Sequence, residues 1–404
     1  MHIALFSPAW PLEKHHNGIV TFVHWMRAEL EQRGHRVSVF TAVADAAADD
    51  SRVHLVRQGP WGRIARRLAQ PLFPIERDVL EWGRSIARSI LLVHRREPID
   101  IIEMEESFGW SADVARITRL PLLVKLHGPA FLSLIDDERS APMGQERVRR
   151  EGAALALAGA IASPSSTTMN QTFAFHRLAP PIRQHVVNPL SMDATTPQWR
   201  LDACDRETLL FVGRFDKRKG ADVMLRAFEL LLRQRPTLKL VFVGPDAGLL
   251  QPDGSRVGFA AFRDATIAPE LRGQIEFRGR MANRDIAALR VQATATVVAS
   301  RWENQGYTAL EAMYQGCPVV CSDAGGSPES VVHGRTGLLA RSEDPADFAM
   351  QIAAMLDDPV AAATMGAAAR RHVIENHSAS KVASESLALY ERVIAQHRRP
   401  GAGS

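Results

Sequence analysis

Only three cysteines occur in the 404 residues: Cys204, Cys317 and Cys321. So few, and an odd number, cannot form a disulfide framework and fit a reducing compartment. No CxxC, Cys/His or HExxH spacing accompanies them, so the sequence offers no zinc site or other metal cluster. Cys317 and Cys321 flank a Val-Val strand and read as small buried apolar residues. Also missing is any run near the roughly 20 uninterrupted apolar residues that a membrane-spanning helix requires. The opening, Met1 through Phe6, has no basic region ahead of its apolar run. It reads as a strand and not a signal peptide, so a cytoplasmic protein is expected.

Charge is not concentrated either. The net charge of +4 would suit nucleic acid, yet the basic residues are spread out and no nucleic-acid-binding motif accompanies them. No nucleic-acid partner is expected. Segment 61–96 departs from this evenness, with eight arginines against three acidic residues. Trp61, Ile64, Leu68, Leu72, Phe73 and Trp82 are interleaved with those arginines. Such a mixture suits peripheral contact with the inner face of a membrane. It equally suits helices that cover a sheet and turn arginines outward, which is the favoured reading.

What is present is the balance of a soluble globular chain, 46% apolar and 23% charged, long enough for two domains. Short apolar runs alternate with helical patterns almost throughout, the rhythm of parallel sheets covered by helices. In the first half, strands are expected at 2–7, 36–41, 53–57, 99–103, 122–126, 160–162 and 185–187. A helix near 20–32 is stopped by Gly34. A second series is expected at 208–212, 239–243, 275–277, 295–298, 319–321 and 338–339. The turn-rich stretch 188–199 is the expected linker. Residues 1–190 and 191–379 are thus the expected domains. From 380 on, Val382, Leu387, Leu389, Val393 and Ile394 mark a last helix, and Gly-Ala-Gly-Ser a short tail.

The segment from Ser300 to Met313 carries the most chemistry. It leaves a strand, turns at Glu303-Asn304-Gln305-Gly306, and becomes helical from Tyr307 through Glu311. Two carboxylates therefore flank a strand-to-helix turn at the carboxyl edge of a parallel sheet, where open α/β sheets bind ligands. Carboxylates accept hydrogen bonds from hydroxyls, and the free N–H groups of a helix start suit phosphate. Taken alone, the pair reads equally well as a helix-start residue and a solvated helix position. A second strand-end turn, Gly213-Arg214 through Lys219-Gly220, adds forked and point-like positive charge beside glycines. A third runs through Gly325-Gly326 to Glu329.

Together these segments resemble glycosyltransferase family 4, whose members are retaining enzymes of the GT-B type. The resemblance rests on Glu303 and Glu311 separated by seven residues, the Gly-Arg…Lys-Gly loop, the Leu-Glu-Ala-Met helix, the Gly-x-Pro-Val-Val strand and the Gly-Gly…Glu turn. It implies α/β architecture, with two Rossmann-like domains facing each other across a cleft. The second would bind the donor, and the last helix would cross back onto the first. It further implies that Glu311 binds the nucleotide ribose and Glu303 the transferred sugar. Arg214 and Lys219 would hold the diphosphate of a UDP- or GDP-sugar, with no cofactor. Gly213, Asn304, Gln305, Gly306 and Tyr307 complete the donor-binding set, and backbone around Arg280-Met281 would meet the base.

The first half resembles the family less closely. Leu126-His127-Gly128 looks like the family's active-site His-Gly, which implies contact of His127 with the transferred sugar or phosphate. Gly18 occupies the place of the N-terminal glycine loop, where Asn17 stands instead of a second glycine. Glu103 and Glu105 resemble a segment on the acceptor side. The acceptor is expected to be a hydroxyl compound, with a lipid-linked one among the candidates, in polysaccharide, glycolipid or glycoconjugate synthesis. Rival readings are a GT-B epimerase or glycogen phosphorylase, and a sugar-nucleotide-binding protein without turnover. The first should lack the Glu303/Glu311 arrangement, and a phosphorylase needs a pyridoxal-lysine pattern that is absent. Intact Glu303, Lys219 and His127 argue against the third.

Overall fold

A computed structural model describes residues 1–15, 17–44, 50–58, 76–251 and 253–398. The chain divides into two units, Met1–Ser191 with Ala379–Ser404, and Met192–Ser378.

The first unit is built on a parallel sheet of seven strands: β1 (His2–Ser7), β2 (Arg36–Thr41), β3 (Val53–Leu55), β4 (Ile101–Glu105), β5 (Leu122–Lys125), β6 (Ala160–Ser163) and β7 (Ile182–His185). Their spatial order is β3-β2-β1-β4-β5-β6-β7, which puts a reversal of chain order beside β1 and β4. Side chains alternate between two cores with the period of a strand. Ile3, Leu5, Val37 and Val39 enter one core, and Ala4, Phe6, Phe40 and Ile102 enter the other. The first core is closed by helix Gly18–Gln32, through Met26 and Leu30, and by helix Ala379–His397, through Val382, Tyr390 and Val393.

Asn17 caps the first of these helices, its side chain accepting from the Ile19 N–H at 2.8 Å. The residue standing in place of a glycine therefore secures the helix start. Of segment 61–96, residues 61–75 lie outside the described residues. Helix Glu76–His94 covers the sheet with Ile86 and Ile90, while Trp82 packs at 6.3 Å from Trp110.

The second unit holds β8 (Asp205–Val212), β9 (Lys239–Val243), β12 (Ile275–Phe277), β13 (Ala293–Val298), β14 (Val319–Ser322) and β15 (Leu338–Ala340). They form a parallel sheet in the order β12-β9-β8-β13-β14-β15, and β10 (Leu249–Leu250) and β11 (Arg256–Val257) form a separate hairpin. Leu209, Phe211 and Phe242 enter its main core, and Leu210, Val241 and Val243 the opposite face. Phe215, fully buried among Phe242, Phe259 and Phe262, pins the loop after β8 into that core.

Two strands sit away from their expected places. β4 runs 101–105 and not 99–103, because pairing with β1 begins at Ile3 and Ile101. Asp100 instead accepts the His2 N–H at 2.7 Å. β7 runs 182–185 and not 185–187. It is an edge strand whose Arg183 and His185 are exposed, so it carries little apolar signal.

Candidate functional site

Three loops at the carboxyl edge of the second sheet converge. Gly220 has φ +65°, and a Cβ there would lie 1.8 Å from the Ala299 carbonyl oxygen. Only glycine lets the loop after β8 press against the end of β13. Gly325, at φ +62°, would bring a Cβ within 2.1 Å of the Glu303 carbonyl oxygen. The Gly326 N–H donates to that same oxygen at 2.8 Å, joining the loop after β14 to the Glu303 turn.

Within this junction Lys219 Nζ meets Glu303 Oε1 at 2.5 Å, and Ser300 Oγ donates to the same oxygen at 2.8 Å. Burial by itself raises the Glu303 pKa, but the charges of Lys219 and Arg218 outweigh it and hold the carboxyl below its ordinary value. Asp216 organises the cationic loop, accepting the Lys219 N–H at 2.8 Å and pairing with Arg214 at 2.6 Å. The Arg214 side chain is half exposed.

Helix Tyr307–Gln315 begins at Gly306 with no side-chain cap, leaving its first N–H groups for an anion. One turn in, Glu311 pairs with buried Arg290 at 2.5 Å while its own side chain stays 32% exposed. The Tyr307 hydroxyl is buried without a hydrogen-bond partner among the described residues. Asn304 and Gln305 are buried, Gln305 donating to Ser330 Oγ at 3.4 Å, so these side chains brace the turn. Gly213 donates to Val243, and Gly244 donates to the Gly279 carbonyl at 2.8 Å, bringing the Arg280-Met281 backbone beside the same edge.

In the first unit His127 follows β5, its ring edge-on to Phe22 at 5.1 Å between centroids. Burial, then the nearby Lys125 charge, lowers its pKa to about 3, so the imidazole is neutral at ordinary pH. His127, Glu103, Glu105 and Lys125 border one small cavity with apolar residues of β1 and helix Gly18–Gln32. Gly18 opens that helix and is exposed. Glu103, expected on the acceptor side, is buried, and the Tyr390 phenol donates to it. Lys125 is buried too, donating to the Val186 carbonyl at 3.0 Å. Glu105 Oε2 is buried without a hydrogen-bond partner among the described residues.

Sequence reasoning missed three residues here. Glu106 accepts the N–H groups of His127 and Gly128 at 2.8 and 2.6 Å. Glu151 accepts those of Phe108 and Ala130. Tyr390 reaches β4 from the far end of the chain. The one signal was a charge inside an apolar strand, at Lys125. Among the described residues no His, Cys, Asp and Glu group is placed to hold a metal ion.

Residues 198–372 match the family described as glycosyl transferases group 1, and residues 17–189 the glycosyl transferase 4-like domain. A D-inositol 3-phosphate glycosyltransferase of Catenulispora acidiphila is 30% identical over 296 residues, covering 70% of this chain and 69% of that protein. A Streptomyces avermitilis protein of the same name is 34% identical over 196 residues, which span 47% of this chain and 40% of that protein. Among solved structures, sucrose-phosphate synthase from Thermosynechococcus elongatus superposes with a TM-score of 0.76 at 21% identity, covering 98% and 99% of the two chains. Anabaena HepE in complex with UDP-glucose gives 0.68 at 17% identity, over 96% and 100%. With two parallel-sheet domains of GT-B type and matches along both, the chain belongs to the family 4, group 1 glycosyltransferases.

Proposed function

We propose that the chain transfers a sugar from a nucleoside diphosphate sugar, a UDP- or GDP-sugar, to a hydroxyl acceptor with retention of anomeric configuration. The contact of Lys219 and Ser300 with Glu303, at 2.5 and 2.8 Å among three glycine-rich turns, carries this reading. An ionised Glu303 accepts hydrogen bonds from the transferred sugar, while Lys219 and Arg214 face the diphosphate and stabilise it as leaving group. Glu311 takes the ribose, and backbone near Arg280 and Met281 the base. In the first unit, neutral His127 is assigned to the transferred sugar and Glu105, with one carboxylate oxygen unpartnered, to the acceptor side.

The bond from the anomeric carbon to the diphosphate oxygen breaks, and the bond to the acceptor oxygen forms on the same face. The acceptor's proton passes to the leaving phosphate oxygen. Positioning and charge stabilisation then account for catalysis. The names of these relatives make D-inositol 3-phosphate the first acceptor to try, beside lipid-linked hydroxyl acceptors. A role in glycoconjugate synthesis completes the reading, with membrane contact through 61–96 as the rival to the favoured sheet-cover reading of that segment.

A thermal-shift panel of UDP- and GDP-sugars tests it. A donor at 100 times its dissociation constant stabilises the fold by about 2.7 kcal/mol. If no nucleotide sugar raises the melting temperature, the donor-site reading fails. Co-sedimentation with anionic vesicles at low and high salt tests the membrane contact separately, and absence of pelleting at low salt removes it.

A further inference from the structure

Glu106 follows β4, and His127-Gly128 follows the neighbouring β5, where Lys125 stands opposite Glu105 in the register. Each Glu106 oxygen accepts one backbone N–H, from His127 at 2.8 Å and Gly128 at 2.6 Å. The carboxylate therefore staples two consecutive peptide groups of a strand-end loop. Glu151, on helix Pro142–Leu155, accepts the Ala130 N–H at 2.7 Å and the Phe108 N–H at 3.1 Å. It thereby ties both loops to one helix. Arg147 holds Glu151 at 2.8 Å and lies 4.4 Å over the Phe108 ring. Phe108 itself adopts φ +58°, a left-handed backbone uncommon outside glycine, which these contacts keep in place.

We propose that Glu106, with Glu151 holding the flanking Phe108 and Ala130 N–H groups, is a positioning residue that fixes the His127–Gly128 backbone and so controls turnover without touching substrate. The proposal rests on the assignment of His127 to the transferred sugar.

The groups facing Glu106 are Glu105 from its own strand and Glu151 and Arg147 from the covering helix. Lys125 and His127 belong to the adjacent β5 and its loop. Burial, and then repulsion from Glu151, raises the Glu106 pKa to about 7. Protonation turns one accepting oxygen into a hydroxyl that donates, so one of the two backbone N–H groups loses its acceptor. Turnover should therefore fall as pH drops through about 7, although neutral His127 does not titrate there.

The test is Glu106→Gln, His127→Ala and the double variant. It measures UDP release from UDP-glucose, with GDP release from GDP-mannose in parallel, and amide exchange of peptides spanning 122–133. The expected result for Glu106→Gln is a kcat about tenfold lower or more, with the donor KM within about twofold. Its acidic limb disappears, and the His127 and Gly128 amides exchange faster. The double variant should be no slower than His127→Ala, because residues acting through one another are not additive.

If Glu106→Gln keeps wild-type kcat and pH profile while His127→Ala is severely impaired, the proposal falls and the site reading stands. If His127→Ala is itself without effect, both fall. Multiplicative losses in the double variant also overturn the proposal. Should Glu106→Gln fail to fold, Glu106→Asp, which keeps the charge and withdraws the oxygens by one methylene, takes its place in the same cycle. A slower kcat there that is not additive with His127→Ala supports the proposal, and an unchanged kcat overturns it.

Discussion

Lys219 and Glu303, 84 residues apart in sequence, meet at 2.5 Å where the loops after β8 and β13 converge. The ammonium and Ser300 Oγ share one carboxylate oxygen, Oε1. Glu303 is thereby kept ionised and aimed, and the lysine is held beside it as a point charge.

Removing either partner should impair donor use without unfolding the chain. Lys219→Ala is expected to lower kcat/KM by roughly ten- to a hundredfold, the worth of a charged hydrogen bond. Glu303→Ala should be at least as severe. Steady-state kinetics, with melting temperatures alongside, check this. Unchanged kinetics in both variants would remove Lys219 and Glu303 from the donor site.

Product stereochemistry tests the proposed retention. An alpha-linked nucleotide sugar should yield an alpha-linked product, read from the anomeric proton coupling by NMR early in the reaction. Inversion would need a base to deprotonate the acceptor as it attacks from the opposite face. His127 keeps its lone pair, but its lowered pKa of about 3 makes it a weak base at neutral pH. A beta-linked product would contradict retention.

The Arg290–Glu311 pair allows the proposed ribose contact and fold stability to be tested together. Arg290 is only 4% exposed in its side chain, and its guanidinium holds Glu311 at 2.5 Å. Arg290→Met should destabilise the fold by about 1.5–3 kcal/mol and weaken nucleotide binding as Glu311 loses its orientation. Denaturant unfolding and UDP titration measure the two effects. Glu311→Gln should weaken binding while costing less stability, because Glu311 is partly exposed.

Tyr390 and Glu103 give a pH-dependent signature. Burial raises the Glu103 pKa, against opposition from Lys125 and the Tyr390 hydrogen bond. A carboxyl with a raised folded-state pKa stabilises most at low pH, and that contribution is lost as pH rises through the folded value. Tyr390→Phe removes a donor to the ionised form, so its penalty should be larger at pH 8 than at pH 5. The expected size at pH 8 is roughly 1.5–3 kcal/mol. An equal penalty would mean that Glu103 carries the same charge at both pH values, and a smaller one at pH 8 would contradict the Tyr390 hydrogen bond to its ionised form.

The alternation of apolar runs and helical patterns was enough to establish a doubly wound parallel architecture. Glycines at strand ends, with the Glu303/Glu311 spacing, marked the turns that converge at the carboxyl edge of the second sheet. These are local signals: strand period, helix period and turn chemistry are written within a few consecutive residues. The edge strand β7 escaped because its exposed polar residues carry no such pattern. Which buried charge finds which partner was decided only by tertiary structure. Glu106 and Glu151 look like solvated acids in sequence, yet they end up accepting four backbone N–H groups around His127. Glu103 finds its partner 287 residues away, in Tyr390 of the last helix. Burial favours pairing of such groups, but the pairing is set by which strand ends and helices the fold brings together, and no local pattern encodes that.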